Sequence, residues 1–502
     1  LNNNVAVNIN AVSPGDATFI SNATQLNLQV PAANMSQTAS NNEIAAATNT
    51  ATLTVNLTGA ANLLTTCTYD IVYEYDSTSN VYGKSPTTKN GDKEITLQVS
   101  NVNGTNNFAN EKNFDFDSSW SGLKRTLVSG ATIESNGTLT TQNISITGKY
   151  YNLTIPQTSI EGKAFTGKIY VTNHSCSTSE LPGYYTILAN NTVNETTPDF
   201  SKVTTSSEKG LYKADDDYTA TTGMKSYYFR GAVDNNWVKF GKDSTGKDIY
   251  WRIIRINGDG SIRMIYTGTT APTINTKVVM TGTGTQISTG VINSRRGKAE
   301  YVGYKYTEGL QHGNSTSSYI KNTLDNWYKT TTLETDAATK KLVSQDQIFC
   351  NDRSASSTQT AAWTSTGATY FYGAYGRLVK NKKPILTCPT ASDKFTVGTS
   401  NGNGALTYPV GLITADEVAM AGGKNGTGNS TYYLYTNQDY WSGSPNRFNS
   451  SGSADEFFVN SSGNLNSSYV DSNDLGARPV VSLSSKAKLS GNGTYTKPYT
   501  VS

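Results

Sequence analysis

Charged residues are scarce in this chain, since only 16% of its 502 residues are Asp, Glu, Lys or Arg. The 41 basic and 38 acidic residues leave a net charge of +3, which excludes the strongly basic face that a nucleic-acid partner requires. The densest basic cluster, Lys380, Lys382 and Lys383, is interpreted as a solvated loop. We therefore expect no nucleic-acid partner.

Long apolar runs are also absent, and no stretch approaches the roughly 18 residues of a membrane-spanning helix. Without an initiating methionine or a signal peptide, Leu1 is predicted to be a processed N-terminus. Asn, Thr, Ser, Gly and 31 Tyr dominate instead, a composition typical of β-rich extracellular proteins. The sequence thus predicts an extracellular, cell-surface protein with no membrane span.

Cysteine and histidine are few, at four and two residues. Because no CxxC motif occurs, we expect no metal site. Four cysteines allow three pairings, and two lie in each half of the chain, which favours Cys67–Cys176 and Cys350–Cys388. Each disulfide would stabilise the fold by roughly 3–5 kcal/mol and indicates an oxidising, extracellular setting.

Motifs for enzymatic chemistry are missing as well. GxSxG, P-loop and dinucleotide-binding patterns do not occur in the structural setting that each requires. The neighbouring acids Asp416 and Glu417, Asp455 and Glu456, and 215–217 are more typical of helix caps or solvated loops than of a catalytic pair. We expect no catalytic residue, no cofactor and no enzymatic activity.

One short stretch faintly resembles a calcium loop. Residues 257–260 read NGDG between the runs WRIIRI and SIRMIY. Their spacing is not that of an EF-hand, so a plain hairpin turn is the preferred interpretation and structural calcium the alternative.

The first strand predicted in the chain lies in residues 1–12, LNNNVAVNINAV. Val5, Val7 and Ile9 alternate with polar side chains and share one face, and Pro14 follows in a turn signal. One interpretation is an edge strand of its own domain. The other is a strand donated to a neighbouring molecule.

Residues 13–188 consist of short alternating runs separated by polar turns. The clearest include TLTVNL (52–57), YDIVYEY (69–75) and GKIYVTN (167–173), and their spacing predicts a β-sandwich or jelly roll. The stretches YDIVYEYDSTSNVYG and GKIYVTN resemble TasA/camelysin-type fibre subunits of the Gram-positive biofilm matrix. This resemblance implies a subunit that associates with copies of itself.

The rest of the chain is predicted to be a linker followed by an α+β domain. Residues 189–202 are polar, lack periodicity and contain Pro198, which predicts a linker. In 203–502, a capping box predicts a helix over 414–421, and helically spaced apolar residues predict another over 318–329.

Several motifs in this region carry a second resemblance. LITADEV, YWSGSP and GARPVVSL, with YYFRGAVDNNWVKF (227–240) and YWRIIRINGDGSIRMIY (250–266) upstream, resemble a family of bacterial surface proteins. Its C-terminal domain is similar to the fold shared by C-type lectins and the formylglycine-generating enzyme. The copper-binding cysteines of that enzyme cannot be carried over, because no cysteine follows Cys388.

A C-type-lectin-like domain presents loops that bind glycans or proteins on a rigid base, and aromatic side chains stack on sugars. For Tyr440 and Trp441, a place in the hydrophobic core is the alternative. The candidate ligand residues are Asp439, Tyr440, Trp441, Asn446, Arg447, Phe448 and Tyr469.

The predicted function is a non-enzymatic subunit of an extracellular bacterial filament, a pilus or a matrix fibre. It would assemble head-to-tail by N-terminal donor-strand complementation and display the lectin-like domain. The alternative is a monomeric surface adhesin that binds a glycan or a host or bacterial surface protein. An enzyme with the formylglycine-generating fold is the least favoured interpretation.

Overall fold

The computed structural model describes residues 6–8, 17–29, 45–61, 63–77, 94–151, 162–214, 225–357 and 359–502. Strands account for 41% and helices for 11%, so the protein is mostly β-sheet, as its composition predicts. The chain divides into two compact units, Leu1–Leu181 and Pro182–Ser502. No helix in the described part of the chain has the length and apolar character needed to cross a bilayer.

Two antiparallel sheets form the first unit. Its strands are β1 (Ala6–Asn8), β2 (Thr18–Asn22), β3 (Thr24–Gln29), β4 (Ala45–Thr58), β5 (Leu63–Tyr75), β6 (Ile95–Ser100), β7 (Thr105–Asn106), β8 (Lys112–Asn113), β9 (Trp120–Ser121), β10 (Lys124–Ser135), β11 (Leu139–Tyr151) and β12 (Ala164–Glu180). The first sheet has the order β1-β2-β4-β11-β6-β8. The second has the order β3-β12-β5-β10-β7, with β9 paired to β10.

The two sheets enclose one hydrophobic core, which is the arrangement of a β-sandwich. Alternation places Leu53, Val55 and Leu57 of β4 in this core, together with Leu26 and Leu28 of β3. The intervening residues of β4 face away from the core, as the period of two in TLTVNL predicts. The runs at 69–75 and 167–173 lie in β5 and β12 of the second sheet.

A disulfide joins two neighbouring strands of the second sheet. Cys67 on β5 lies directly opposite Cys176 on β12, and their Cα atoms are 4.0 Å apart. The structure therefore contains the first of the two predicted disulfides.

Strand β1 lies at the edge of the first sheet. It pairs antiparallel with β2 over three residues, with Ala6 opposite Asn22 and Val7 opposite Ser21. Val5 and Ile9 of the predicted assembly strand lie outside the described residues. In this structure the strand thus extends its own sheet.

The second unit contains two larger sheets and two short ones. Its strands are β13 (Val193–Asn194), β14 (Lys209–Ala214), β15 (Ser226–Gly231), β16 (Trp237–Lys242), β17 (Asp248–Ile256), β18 (Ile262–Gly268), β19 (Ser288–Thr289), β20 (Lys305–Tyr306), β21 (Thr316–Ser317), β22 (Phe349–Cys350), β23 (Tyr370–Phe371), β24 (Lys394–Phe395), β25 (Tyr440–Phe448), β26 (Ala454–Val459), β27 (Leu465–Tyr469), β28 (Gly476–Ala477), β29 (Val480–Leu483), β30 (Leu489–Ser490) and β31 (Tyr499–Val501).

One larger sheet has the order β13-β14-β15-β17-β16-β31-β30, and β18 joins it to β29. The other has the order β19-β28-β25-β26-β27, and β23 pairs with β25. The helices of this unit are α1 (Gly183–Ala189), α2 (Tyr319–Tyr328), α3 (Thr332–Thr335), α4 (Ala337–Lys340), α5 (Gly373–Tyr375) and α6 (Ala415–Ala421). A π-helical turn, Gly376–Asn381, follows α5.

Both helices predicted in this region are present. In α6 the Thr414 hydroxyl accepts a hydrogen bond from the Glu417 N–H at 3.1 Å, and the Glu417 carboxylate accepts one from the Thr414 N–H at 2.9 Å. Ser318 caps α2 in the same way as Thr414 caps α6, by accepting from the Lys321 N–H. The turn between β17 and β18 is also as predicted, with Gly260 donating to the Asn257 carbonyl.

The boundary between the units lies earlier than the predicted linker. Residues 189–202 belong to the second unit, where β13 pairs in parallel with β14. Asn190 and Asn191 donate side-chain hydrogen bonds to carbonyls at the end of α1, both at 2.8 Å. A polar composition therefore marks a helix C-terminus here, because Asn side chains satisfy its last carbonyls.

The second predicted disulfide, Cys350–Cys388, is also present. The two cysteines are 38 residues apart in sequence, so the bond closes a loop within the second unit. Both pack with Ile348 in a small buried cluster.

Candidate functional site

Three of the aromatic residues predicted to bind ligand lie in the interior. Tyr440 and Trp441 are 0% exposed and Phe448 is 3% exposed. The Tyr440 hydroxyl donates to the Leu434 carbonyl at 2.9 Å, and the Trp441 indole N–H donates to the Gly290 carbonyl at 2.7 Å. As ligand residues these three were wrongly predicted, because β25 is covered on both faces at these positions. For Tyr440 and Trp441 the core alternative is confirmed.

Two polar candidates also serve the fold. Asn446 is buried, and its carbonyl accepts from the Tyr372 N–H at 3.0 Å. The Asp439 carboxylate accepts from the Ser461 N–H, and its carbonyl accepts from the Gly476 N–H. Neighbouring strands and loops thus use the Asp439 carboxylate and the Asn446 backbone carbonyl, so both residues contribute to the fold.

Arg447 and Tyr469 also reach solvent, as the half-buried Asp439 does, and strand pairing brings Arg447 and Tyr469 into one line. Phe371 lies opposite Arg447, Arg447 opposite Asp455, and Asp455 opposite Tyr469, across β23, β25, β26 and β27. Opposite residues on neighbouring strands point to the same face of a sheet. Three strand spacings give this line a length of about 14 Å. We call these four residues the aromatic–cationic row.

At the Tyr469 end, a basic loop covers the row. The guanidinium of Arg296 lies 4.2 Å from the centre of the Tyr469 ring, within the range of a cation–π contact. Asp471 lies 3.4 Å from the same guanidinium. The Ala454 N–H donates to the Arg296 carbonyl at 2.8 Å, which fixes the loop to β26.

At the Phe371 end, a second aromatic ring extends the row. Tyr375 of α5 stacks on Phe371 with ring centres 3.9 Å apart and an interplanar angle of 21°. Lys380, in the π-helical turn, places its ammonium 5.8 Å from the Tyr375 ring. Both ends of the row therefore combine an aromatic face with a cation.

The middle of the row holds a carboxylate that is only partly satisfied. Asp455 is 2% exposed, and one of its oxygens lies 2.6 Å from Nε of Arg447. The other oxygen, Oδ1, has no hydrogen-bond partner among the described residues. Burial raises the pKa of Asp455, while Arg447 opposes that rise. A buried acceptor without a partner is costly, and a donor group on a ligand would satisfy it.

The polar cluster around His312 contains no nucleophile paired with a base among the described residues. His312 Nδ1 lies 3.0 Å from Asp393, but two nitrogens of Arg353 already hold that carboxylate, at 2.9 and 2.7 Å. In the described part of the chain no hydroxyl or thiol bonds to His312. No group of three or more His, Cys, Asp or Glu there is arranged to hold a metal ion.

A cavity beside Arg377 is too small for a ligand. Arg377 is bound to Asp416 through two contacts of 2.9 Å and to Asp352 through one of 2.6 Å. The space beside them measures about 10 Å³, which is room for no more than one water molecule.

Sequence reasoning found Arg447 and Tyr469 but missed Phe371, Tyr375 and Arg296 as parts of the same surface. A signal was present in the aromatic run TYFYGAY (369–375) and the basic run SRRGK (294–298). Nothing in either run indicates that strand pairing would place it beside β27.

Comparison of the chain with known protein families, with curated proteins and with solved structures finds no match.

Proposed function

We propose that this protein is a non-enzymatic subunit of an extracellular bacterial filament, a pilus or a matrix fibre, that displays a C-type-lectin-like second unit. The two disulfides support an oxidising, extracellular setting. The motif resemblances support the fibre and the lectin-like fold. The observation that carries the proposal is the three-residue pairing of β1 with the edge of the first sheet.

The edge that β1 covers is suited to strand exchange. On its inner side β2 pairs with β4, with Phe19 opposite Leu57 and Ser21 opposite Val55. Without β1, the outer side of β2 would present unpaired backbone groups, which favour pairing with another strand. The β1 strand of a second copy can supply the same hydrogen bonds.

Burial of Val5, Val7 and Ile9 against a neighbour would contribute roughly 5–8 kcal/mol before the cost of association. A head-to-tail contact of this kind need not close into a ring, so repetition produces a filament. Donation of β1 would thus give the alternating apolar residues of this strand a partner surface, and the three residue pairs described between β1 and β2 place it at the edge where such an exchange can occur.

Engineered cysteines distinguish donation from folding back. Val7 and Ser21 lie directly opposite each other, so the double variant Val7→Cys/Ser21→Cys should form a disulfide across the pair. Donation predicts a ladder of covalent oligomers on a non-reducing gel. A single monomer band with an internal cross-link would contradict the proposal.

A matched pair of substitutions tests the apolar face of the strand. Val7→Asp places a charge among the apolar positions, and Asn8→Asp places the same charge on the alternate face. We expect Val7→Asp and deletion of residues 1–12 to abolish filaments in negative-stain images, whereas Asn8→Asp retains them. The truncated protein should also bind a synthetic LNNNVAVNINAV peptide. Filaments formed by the truncated protein would contradict strand donation.

A second candidate function is that of a monomeric surface adhesin. The aromatic–cationic row favours it, because the row combines aromatic and cationic groups that reach solvent with a buried acceptor on a rigid sheet. Sedimentation at micromolar concentration separates the two candidates, since an adhesin of this kind stays monomeric.

A further inference from the structure

We infer that the aromatic–cationic row binds an acidic saccharide, a short chain of sugar rings that carry carboxylates. This inference rests on the ligand-binding role proposed for the second unit and is independent of filament assembly.

The aromatic groups of the row suit sugar rings. Tyr469 is 40% exposed, and the stacked pair of Phe371 and Tyr375 is half-buried at the other end. Apolar C–H faces of sugars pack on aromatic rings, and two such platforms separated by about 14 Å can hold a linear chain at two points.

One cation of the row, Arg447, and two cations at its ends, Arg296 and Lys380, have hydrogen-bond donors that no described residue uses. Arg447 uses Nε for Asp455, and its two terminal nitrogens have no hydrogen-bond partner in the described residues. Arg296 contacts Asp471 through one terminal nitrogen. No described residue accepts a hydrogen bond from the Lys380 ammonium, which lies by the Tyr375 ring. Guanidinium groups bind carboxylates through parallel, charge-assisted hydrogen bonds.

The acceptor in the middle of the row distinguishes a saccharide from a simple anion. Asp455 Oδ1 is buried and has no partner among the described residues, so it can accept a hydrogen bond from a ligand hydroxyl. A sugar acid supplies both groups, a hydroxyl for Asp455 and a carboxylate for Arg447 or Arg296. A fully ionised inorganic anion such as sulfate or chloride has no such donor and would be repelled by an ionised Asp455.

Binding is tested on the full-length protein by isothermal titration with tetrasaccharides of galacturonate, mannuronate and glucuronate. The methyl esters of the same tetrasaccharides serve as neutral controls. We expect at least one acid to bind and its ester to bind at least tenfold more weakly, as the loss of a charge-assisted hydrogen bond implies.

Three surface variants and one matched control locate the site. Arg296→Gln, Lys380→Gln and Tyr469→Ala should each weaken binding by about five- to tenfold. Arg295→Gln, which removes the neighbouring charge that stacks on Tyr301 instead, should bind as the unmodified protein does.

Equal binding of acid and ester would overturn the acidic class. Failure of all three acids to bind, or a loss confined to Arg295→Gln, would overturn the site. Filament formation is imaged on the same samples, and because these substitutions lie in the second unit, it should be unchanged. A variant that loses filaments therefore reports on the assembly proposal. A variant that loses titration heat reports on saccharide binding at the row.

Discussion

At the scale of single residues, Glu456 carries the clearest pH dependence. It is 0% exposed, and one of its oxygens accepts from the Gly303 N–H at 3.1 Å while the other has no partner among the described residues. Burial raises the pKa of Glu456 to about 8, although Gly303 and Arg353 oppose the rise. The folded protein thus holds a proton here that the unfolded chain releases above pH 4.5.

Stability of the second unit should therefore fall as pH rises from about 5 to 8. A group whose pKa is higher in the folded state stabilises the fold fully below its unfolded pKa, and the contribution is lost as the pH approaches the folded pKa. Between pH 5 and pH 8 the free energy of unfolding should fall by on the order of 3–5 kcal/mol, and Glu456→Gln should remove this decrease. Urea unfolding at pH 5 and pH 8 measures it.

The control for this substitution is Glu308→Gln, which changes a carboxylate that is 62% exposed and paired with Lys298. It should leave the pH dependence of unfolding as it is. An unchanged dependence in Glu456→Gln would show that Glu456 is ionised in the folded protein.

Two glycines with similar backbone angles should differ in how much stability is lost when each is replaced by alanine. Gly231 has φ +79° and Gly246 has φ +81°, both in the left-handed region. A Cβ at Gly231 would lie 1.7 Å from the Glu208 carbonyl oxygen, whereas one at Gly246 would meet nothing within 4 Å. Gly246→Ala should cost about 1–2 kcal/mol from the angle alone. Gly231→Ala should cost more, since the backbone of 208 must move.

Thermal unfolding of both variants measures the difference. Equal shifts in melting temperature would mean that the Glu208 segment yields without cost.

The burial of certain arginines could not be predicted from the sequence. Arg252 in the run WRIIRI lies fully inside, with its three nitrogens donating to Asn236, Val278 and Val233. A charged residue in a strand predicts a solvent face, yet both faces of β17 are covered. The acceptors that permit burial are the Asn236 side-chain amide oxygen and the backbone carbonyls of Val278 and Val233, and sequence alone does not indicate that they meet Arg252.

At the scale of elements, α6 is stabilised by the capping box in its first turn and by the buried cations Arg255 and Arg263. Glu417 is 2% exposed, and one of its oxygens lies 2.9 Å from Nε of Arg255 and 2.6 Å from Nε of Arg263. Desolvation would raise the pKa of Glu417, but Arg263 and Arg255 outweigh it and lower the pKa. The capping box thus also positions a buried ion pair.

Thr414→Ala should destabilise the second unit by about 1 kcal/mol, since it removes the hydroxyl that accepts from the Glu417 N–H. Thr414→Ser retains that hydroxyl and should be close to the unmodified protein. The measurement is the urea midpoint of the second unit. Equal loss in both variants would assign the effect to the Thr methyl group instead.

Elements defined by local chemistry were predicted well. The cap of α6, the hairpin turn at 257–260 and the strands of the first unit follow from neighbouring residues. The candidate ligand residues were predicted less accurately, because the burial of Tyr440 and Trp441 depends on which strands and loops cover β25. The row itself depends on the register of four strands, which joins Phe371 to Tyr469 across about a hundred residues.

At the scale of the whole molecule, each unit has its own core. Residues of the large cluster in the second unit come from 187–499, and those of the first unit from 19–171. Helix α1 belongs to the second, since Ile187 is 0% exposed in its core and Gly183 donates to the Ala487 carbonyl at 2.7 Å.

Two fragments test this boundary. We expect 182–502 to unfold cooperatively, and 203–502, which lacks α1 and β13, to melt at a lower temperature or to aggregate. Calorimetry of the two fragments provides the comparison. Equal melting temperatures would mean that α1 is dispensable and that the later boundary is adequate.

The disulfide between β5 and β12 has a mechanical consequence. The chain leaves the first unit from the end of β12, where residues 177–180 pair with 63–66 of β5. A pulling force applied there would separate these residue pairs one at a time. The disulfide between Cys67 and Cys176 would then prevent further separation of β12 from β5. Four residues release only about 14 Å of slack. Under tension the first unit would therefore transmit load to β5 rather than unravel, until a reductant cut the bond.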